Sequence, residues 1–346
     1  MAYDRAEEIA DLVSKNLNNT VGRCWLGRTA EQVARLESIG TIYVGKTRDS
    51  FPFQDGTRAV VVADTISAFD KVAERLVAFK GQVLNQTSNH WFSRTRHIAP
   101  NHYIESPHPN VSIVQQCTPL KIEMVARGYI TGSGWRDYET GKFEKKYGIK
   151  LPPGLKKHQK LDEPILTPTT KAPKGQHDAG ITPEQAIELV GDKDTYDQIS
   201  EWTLRLYQFG VKEMERYDCI LADEKLEFGT NSKGEKRVMD EIHTSDSSRF
   251  WKKSTYDTLW QTKDGPEQFD KEILRQWFIS QGFDPDSGPE VPLLPLTDDI
   301  VTRVAVGYVT NFANVTGRLP KPPPEDSMSK IEEILMERGL VIPAEA

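Results

Sequence analysis

Between Cys219 and Ile242 the chain alternates in a way that fits an antiparallel hairpin with two unlike faces. Cys219-Ile-Leu-Ala222 reads as a short buried strand ending at Asp223. It is followed by Lys225-Leu-Glu-Phe228, a turn-rich segment Gly229 to Lys236, and a return arm Arg237-Val-Met-Asp-Glu-Ile242. Side chains two residues apart share a face of a strand, so Asp223, Lys225 and Glu227 point one way while Leu226 and Phe228 point the other. One face is charged and one is core. Closure about Lys233 and Gly234 sets Glu227 opposite Asp240, with β-carbons about 5 Å apart. Opposed carboxylates repel unless a cation lies between them, a base such as Lys225 neutralises them, or one is protonated. Hard oxygen donors of this kind suit Mg²⁺ shared with a triphosphate. An exposed hairpin with scattered charges fits the same letters, and the register separates the two readings.

A chain of 346 residues can build one large domain of several lobes or two ordinary ones. Its 37% hydrophobic and 27% charged residues are ordinary for a water-soluble protein. No apolar run approaches the roughly 20 residues needed to span a bilayer, so no membrane partner is expected. The first residues carry acids and no uninterrupted apolar core, so they read as an amphipathic helix and not a secretory signal, and the protein is expected in the cytoplasm. A net charge of -7 argues against a broad basic face for nucleic acid but leaves room for local phosphate pockets. Cys24, Cys117 and Cys219 are far apart and form no C-x-x-C pair, which excludes a disulfide framework or zinc knuckle as the organising device.

Residues 1–38 read as a helical extension. Thr41-Ile-Tyr-Val44 and Ala59-Val-Val-Val-Ala63 flank the turn signal Gln54-Asp55-Gly56, giving a hairpin with Gly45-Lys46-Thr47-Arg48-Asp49 on its first arm. Residues 71–95 look helical, and Val111 to Val125 reads as short strands broken at Pro119. The stretch from Gly148 to Asp178 holds five prolines and reads as an ordered loop. Thr182-Pro183-Glu184-Gln185 supplies an N-cap, a first-turn proline and a capping-box partner for a helix. A second helix, Thr195 to Arg216, sets Ile199, Trp202, Leu206 and Phe209 on one face. The proline cluster Leu319 to Pro324 and a helix near Ser329 to Arg338 close the chain.

Three further places offer chemistry. Gly45-Lys46 lacks the rest of a Walker A motif, but a lysine on a hairpin can fold over ATP phosphates as well as sit idle at a surface. Arg127-Gly-Tyr-Ile-Thr-Gly-Ser-Gly134 brings backbone amides, the Ser133 hydroxyl and a guanidinium together where an anion can bind, or is simply a glycine-rich turn. Asp246-Ser-Ser-Arg-Phe-Trp251 sets Arg249 beside the Ser248 hydroxyl, suited to phosphate or carboxylate, or to a surface turn over buried aromatics. His90, His97, His102 and His108 have no metal-binding spacing and read as structural. No G-x-S-x-G elbow or marked nucleophilic cysteine is present, which weakens hydrolase readings.

Several segments in a fixed order resemble the SAICAR synthetase (phosphoribosylaminoimidazole-succinocarboxamide synthase) family. They are Gly45-Lys46-Thr47-Arg48-Asp49, Ile66-Ser67-Ala68-Phe69-Asp70, Val125 to Gly134, Glu163-Pro-Ile-Leu-Thr-Pro-Thr-Thr-Lys-Ala172, Asp223-Glu-Lys-Leu-Glu-Phe-Gly229, and Asp240 to Trp251. The likeness runs from about Gly45 to Trp277. It implies an ATP-dependent ligase of purine biosynthesis that joins the carboxylate of carboxyaminoimidazole ribotide (CAIR) to the amine of L-aspartate through an acyl phosphate. It implies that Lys46 and Arg48 contact ATP, that Glu227 and Asp240 hold Mg²⁺ with the nucleotide, and that Lys225 lies near the reacting carboxylate. Arg127, Ser133, Ser248 and Arg249 would bind the CAIR phosphate, with Asp178 and Arg275 as further substrate contacts. The implied fold is α+β and SAICAR synthetase-like. An antiparallel β N-terminal lobe with a lid hairpin (39–120) would join a larger ATP-grasp-like α+β lobe (121–318), with the nucleotide between them and a Pro-rich segment and helix (319–346) behind. Thr65, His243 and Ser245 depart from the usual letters of the family. A small-molecule kinase with the same Mg-ATP site is the competing enzymatic reading, and a non-catalytic nucleotide-binding protein is the rival from another class.

Overall fold

The computed structural model describes residues 5–23, 28–172, 178–263, 265–285, 287–288 and 290–341. The chain divides into two compact units that do not follow sequence order. One takes Tyr3–Ser93, His102–Gln116 and Asp270–Ala346, and the other takes Arg94–Asn101 and Cys117–Phe269.

The first of these units is built on a five-stranded antiparallel sheet in the spatial order Tyr43–Val44, Arg48–Pro52, Thr57–Val62, Val111–Gln115, Tyr103–His108. The expected helical extension is two helices, Ala6–Lys15 and Ala30–Ser38, the second opened by a capping box between Thr29 and Gln32. Val33 and Leu36 join Phe51, Val61, Ile331 and Leu335 in one apolar cluster. Residues 270–318, expected with the 121–318 lobe, pack instead in this unit. Helix Asp298–Thr316 presents Ile300, Val304, Tyr308 and Phe312 at helical spacing, and they are buried in one cluster with Ile9, Val13 and Phe79. Thr297 caps this helix by accepting from the Ile300 N–H, and Gly317, at φ 72°, ends it.

Two expectations for this unit are corrected. Gly45-Lys46-Thr47 is the turn between strands Tyr43–Val44 and Arg48–Pro52, not part of the first arm, and Arg48 and Asp49 open the second strand. The helix expected over 71–95 starts only at Lys80, because Lys71–Val72 pairs with Ser67–Ala68 across a two-residue turn. That turn places Phe69 and Asp70 at φ 50° and 63°, as a type I′ hairpin requires. The strain at Phe69 is offset by its ring, which stacks on Phe283 and meets Phe278 edge-on.

The other unit has a six-stranded antiparallel sheet centred on two long strands, Cys117–Tyr129 and Cys219–Asn231. Thr169–Thr170 and Lys160–Leu166 pair with the first, and Lys236–Met239 and Ser248–Lys252 with the second. Helix Lys193–Met214 packs on this sheet and buries Ile199, Leu206 and Tyr207. Thr182 and Gln185 form the expected capping box of the preceding helix, Pro183–Val190.

Three corrections follow from strand irregularities. Pro119 does not break a strand, since it pairs with Gly229 beside a bulge, where a missing N–H is tolerated. Cys219 to Asn231 is one strand and not two, with bulges between Leu221 and Asp223 and between Glu227 and Gly229. The proline-rich stretch before Asp178 contributes strands Lys160–Leu166 and Thr169–Thr170, while 173–177 lie outside the described residues.

The bulge at Leu221 turns two carbonyls out of the ladder, and the buried Tyr207 hydroxyl is shared between them, at 2.9 Å from Leu221 O and 3.2 Å from Ala222 O. Tyr207→Phe should therefore lower stability by about 1–3 kcal/mol, read as a fall in the urea midpoint at constant slope. An unchanged midpoint would remove Tyr207 as the support of the bulge.

Candidate active site

Between the two bulges the central ladder is regular. Asp223 pairs with Arg127, Lys225 with Val125, and Glu227 with Glu123. One face therefore carries Asp223, Lys225 and Glu227 on one strand and Glu123 and Arg127 on its neighbour. From Asp223 to Glu227 the row spans roughly 13 Å.

At the Glu227 end, the Lys225 Nζ lies 2.7 Å from Glu123 Oε1 and 2.7 Å from Glu227 Oε1. Lys171 donates to the second oxygen of Glu227. The hairpin register differs by one residue from the expected closure, because Glu227 pairs with Met239 and not Asp240. Asp240 lies one residue past strand Lys236–Met239, at φ 63°. The left-handed residue returns its charge to the same cluster, where it stabilises the ammonium groups of both Lys225 and Lys171.

Three carboxylates thus surround two ammonium groups, and their titration divides accordingly. Burial works against a charge on Glu227, but Lys225 and Lys171 outweigh it and hold that carboxyl well below the usual range. Burial pushes Glu123 up to about 7, opposed by Lys225 and reinforced by Glu227. For Lys225, burial disfavours the charge, yet Glu227, Glu123 and Asp240 together hold its pKa well above that of an ordinary lysine. Asp178, whose carboxylate accepts the Ala172 N–H at 2.7 Å, adds to the rise at Glu123.

At the other end of the row, Asp223 Oδ2 accepts from Arg127 Nη1 at 3.1 Å and from Arg249 Nη1 at 2.6 Å. Arg127 is fixed on its remaining sides by Thr167 Oγ1 at 2.8 Å and Ser133 Oγ at 3.1 Å. Two guanidinium groups share one carboxylate beside the amides that open helix Gly132–Glu139. Anions favour such a place. Gly132, at φ 54°, leaves room there, since a β-carbon would run into the Arg249 guanidinium.

Some expected site residues are not brought to this row. Ser248 pairs with Glu224, so it faces the opposite side of the sheet from Arg249. That opposite side is not purely apolar, because Glu224 is fully buried there with His243, whose Nδ1 is 2.6 Å away. Lys46, Arg48 and Arg275 belong to the other compact unit. Lys46 is exposed and ion-paired with Asp70, and Arg275 is paired with Glu272 at 3.1 Å on helix Glu272–Ser280. Among the described residues, no set of three or more His, Cys, Asp or Glu converges as a metal centre, and no helix is long and apolar enough to cross a membrane.

The sequence pattern of the family described as SAICAR synthetase matches residues 41–288. The chain is 40% identical over 288 residues to the phosphoribosylaminoimidazole-succinocarboxamide synthase of Cytophaga hutchinsonii, covering 82% of this chain and 90% of that one. Its identity to the corresponding protein of Legionella pneumophila (strain Lens) is 39% over 284 residues, 81% and 88% of the two chains. The chain belongs to the SAICAR synthetase family. The solved SAICAR synthase of Saccharomyces cerevisiae, complexed with SAICAR, matches the fold with a TM-score of 0.69 at 30% identity, over 82% of this chain and 97% of that one. As a SAICAR synthetase family member, the protein is an ATP-dependent ligase of purine biosynthesis with the family's α+β fold.

Sequence reasoning did not single out Glu123, Lys171 or the clamping role of Asp223. Glu123 was within reach, since it alternates with Val125 and Arg127 on one strand face. Lys171 stands inside a quoted family segment, and only the fold brings it to Glu227.

The folded-state pKa of Glu123, about 7, lies above its ordinary 4.5. Its protonated form is therefore favoured on folding, and its contribution to stability is full below about pH 4.5 and lost as pH rises through about 7. The stability of the wild type relative to Glu123→Gln should thus fall by roughly 1–3 kcal/mol between acid and mildly alkaline pH. Urea titrations across that interval measure it, and a constant gap would contradict the assignment.

Proposed function

We propose that the protein joins CAIR and L-aspartate to give SAICAR, ADP and phosphate in the cytoplasm, with the row from Asp223 to Glu227 as its working face. The single observation that carries this reading is the row itself. Alternate residues of one strand, Asp223, Lys225 and Glu227, link a pair of arginines from the two neighbouring strands to a cluster of ammonium and carboxylate groups.

In this reading Arg127 and Arg249, oriented by Asp223 and Ser133, take the ribose phosphate of CAIR. That fixes the base so that its carboxylate approaches Lys225. The carboxylate oxygen attacks the γ-phosphorus of ATP, the bond to the β-phosphate oxygen breaks, and ADP leaves behind an acyl phosphate. The amine of aspartate then attacks the acyl carbon, the phosphate departs with the bonding electrons, and the nitrogen loses a proton to give the amide. Phosphoryl transfer of this kind is driven by positioning and charge neutralisation more than by a protein nucleophile. Lys225 and Lys171 supply fixed positive charge beside the transferring group, and Lys46 and Arg48 contact the ATP phosphates. Asp178 is a further substrate contact.

The donor chemistry of Glu227 and Asp240 fits Mg²⁺ bound together with a nucleotide, for which one or two carboxylates suffice when phosphate oxygens and water complete the octahedron. When bound, the ion would neutralise charge on the phosphates. Lys171 and Lys225 donate to the two oxygens of Glu227.

Mass spectrometry of a mixture of CAIR, ATP, Mg²⁺ and L-aspartate tests the assignment. The succinocarboxamide product should appear only when aspartate is present, and phosphate release that is indifferent to aspartate would instead mark a kinase or phosphatase. Glu227→Gln should lower kcat by at least about a hundredfold while leaving the fold intact. Turnover within twofold of wild type would remove Glu227 from the site.

A further inference from the structure

Residues before 41 lie outside the stretch matched by the family pattern, yet one of their side chains grips the turn that carries Lys46. We propose that Arg23 is a positioning residue for the nucleotide, holding the Gly45–Thr47 turn so that Lys46 is presented to the triphosphate. This inference deepens the assignment of Lys46 to the ATP phosphates and rests on it.

The contact geometry is that of a fork. Arg23 Nη2 donates to the carbonyl oxygens of Gly45 at 2.9 Å and Lys46 at 2.6 Å, and Nη1 donates to Asp49 Oδ1 at 2.8 Å. One guanidinium thus joins the entry of the turn to the strand that leaves it. The turn's own closing bond runs from the Gly45 N–H to Arg48 O at 2.9 Å. A β-carbon at Gly45 would meet that same carbonyl, so the bend is tight and its carbonyls face outward to a donor. The Thr65 hydroxyl adds a longer bond to Lys46 O, at 3.4 Å.

Arg23 is delivered from a fixed backbone. Two residues earlier, the Val21 N–H donates to the Asp64 carboxylate at 2.6 Å, and the Asp64 N–H donates to Val21 O at 2.8 Å. The Val21 side chain is buried in one cluster with Phe51 and Val61. The electrostatic role is equally specific. The Asp49 side chain is only 2% exposed and Arg23 neutralises it, so Asp70, the partner of Lys46, is the carboxylate that an incoming phosphate would displace. A lysine at position 23 can keep the ion pair with Asp49, but a single ammonium cannot reproduce a planar fork across three acceptors.

Steady-state kinetics of Arg23→Lys, Lys46→Ala and the double variant test the proposal, with thermal unfolding as the control for folding. Arg23→Lys should melt close to the wild type and raise KM for ATP about tenfold, with kcat within about twofold and KM for aspartate unchanged. Lys46→Ala should also raise KM for ATP, and adding Arg23→Lys to it should do nothing more. If Lys46→Ala weakens ATP and Arg23→Lys does not, the positioning role falls while the nucleotide assignment stands. Additive effects in the double variant would show that Arg23 acts apart from Lys46 and would likewise overturn it. If Lys46→Ala leaves KM for ATP unchanged, the assignment of Lys46 fails and the role of Arg23 fails with it.

Discussion

The charged face proposed as the working face depends on the register between strands Cys117–Tyr129 and Cys219–Asn231. It is regular from Asp223 to Glu227 and shifts between Glu227 and Gly229, while the pairing of the second strand with Ser248–Lys252 shifts between Leu221 and Asp223. A slip of one residue would exchange the two faces of a strand, sending Lys225 and Glu227 to the side of Leu226 and Phe228 and Leu226 to the charged side. The two bulges bracket the residues that carry the row, and the Tyr207 hydroxyl serves the Leu221 and Ala222 carbonyls beside one of them. Helix packing, strand pairing and the placement of charge are thus one constraint seen at three levels.

Within that frame, electrostatics assigns different tasks to similar residues. Glu227 is flanked by two ammonium groups and stays ionised, whereas Glu123, directly across the ladder and served by Lys225, is raised toward neutrality. Buried charge clusters of this kind contribute little net stability, because desolvation offsets much of the attraction. The proposed reaction gives such a cluster a use, since it needs fixed positive charge beside a phosphoryl group. The same logic holds at the arginine end, where Asp223 orients two guanidinium groups.

Much of this was legible in the sequence. The alternation at Asp223, Lys225 and Glu227, the Thr182 capping box, and the pairing of Arg127 with Ser133 all follow from local rules, and the family segments supplied the chemistry. What was not legible depends on contacts distant in sequence. Pro119 is tolerated in a strand because a bulge opposite it removes the need for its N–H. Helix Asp298–Thr316 finds its partners almost three hundred residues earlier, at Ile9 and Val13. Glu224 breaks the rule of a charged and an apolar face because His243, brought from the far end of the hairpin, accompanies it into the interior.

The one-residue difference in the hairpin register has a consequence for how this protein can vary. The arm beginning at Cys219 is pinned by the central ladder, so the segment from Asn231 to Glu235 measures where Asp240 arrives relative to Glu227. It closes through the Asn231 side chain, which accepts the N–H groups of Lys233 and Glu235. A surface turn would ordinarily accept insertions freely. This one acts as a ruler, and a residue gained or lost there would be felt as a carboxylate displaced from Lys225 and Lys171.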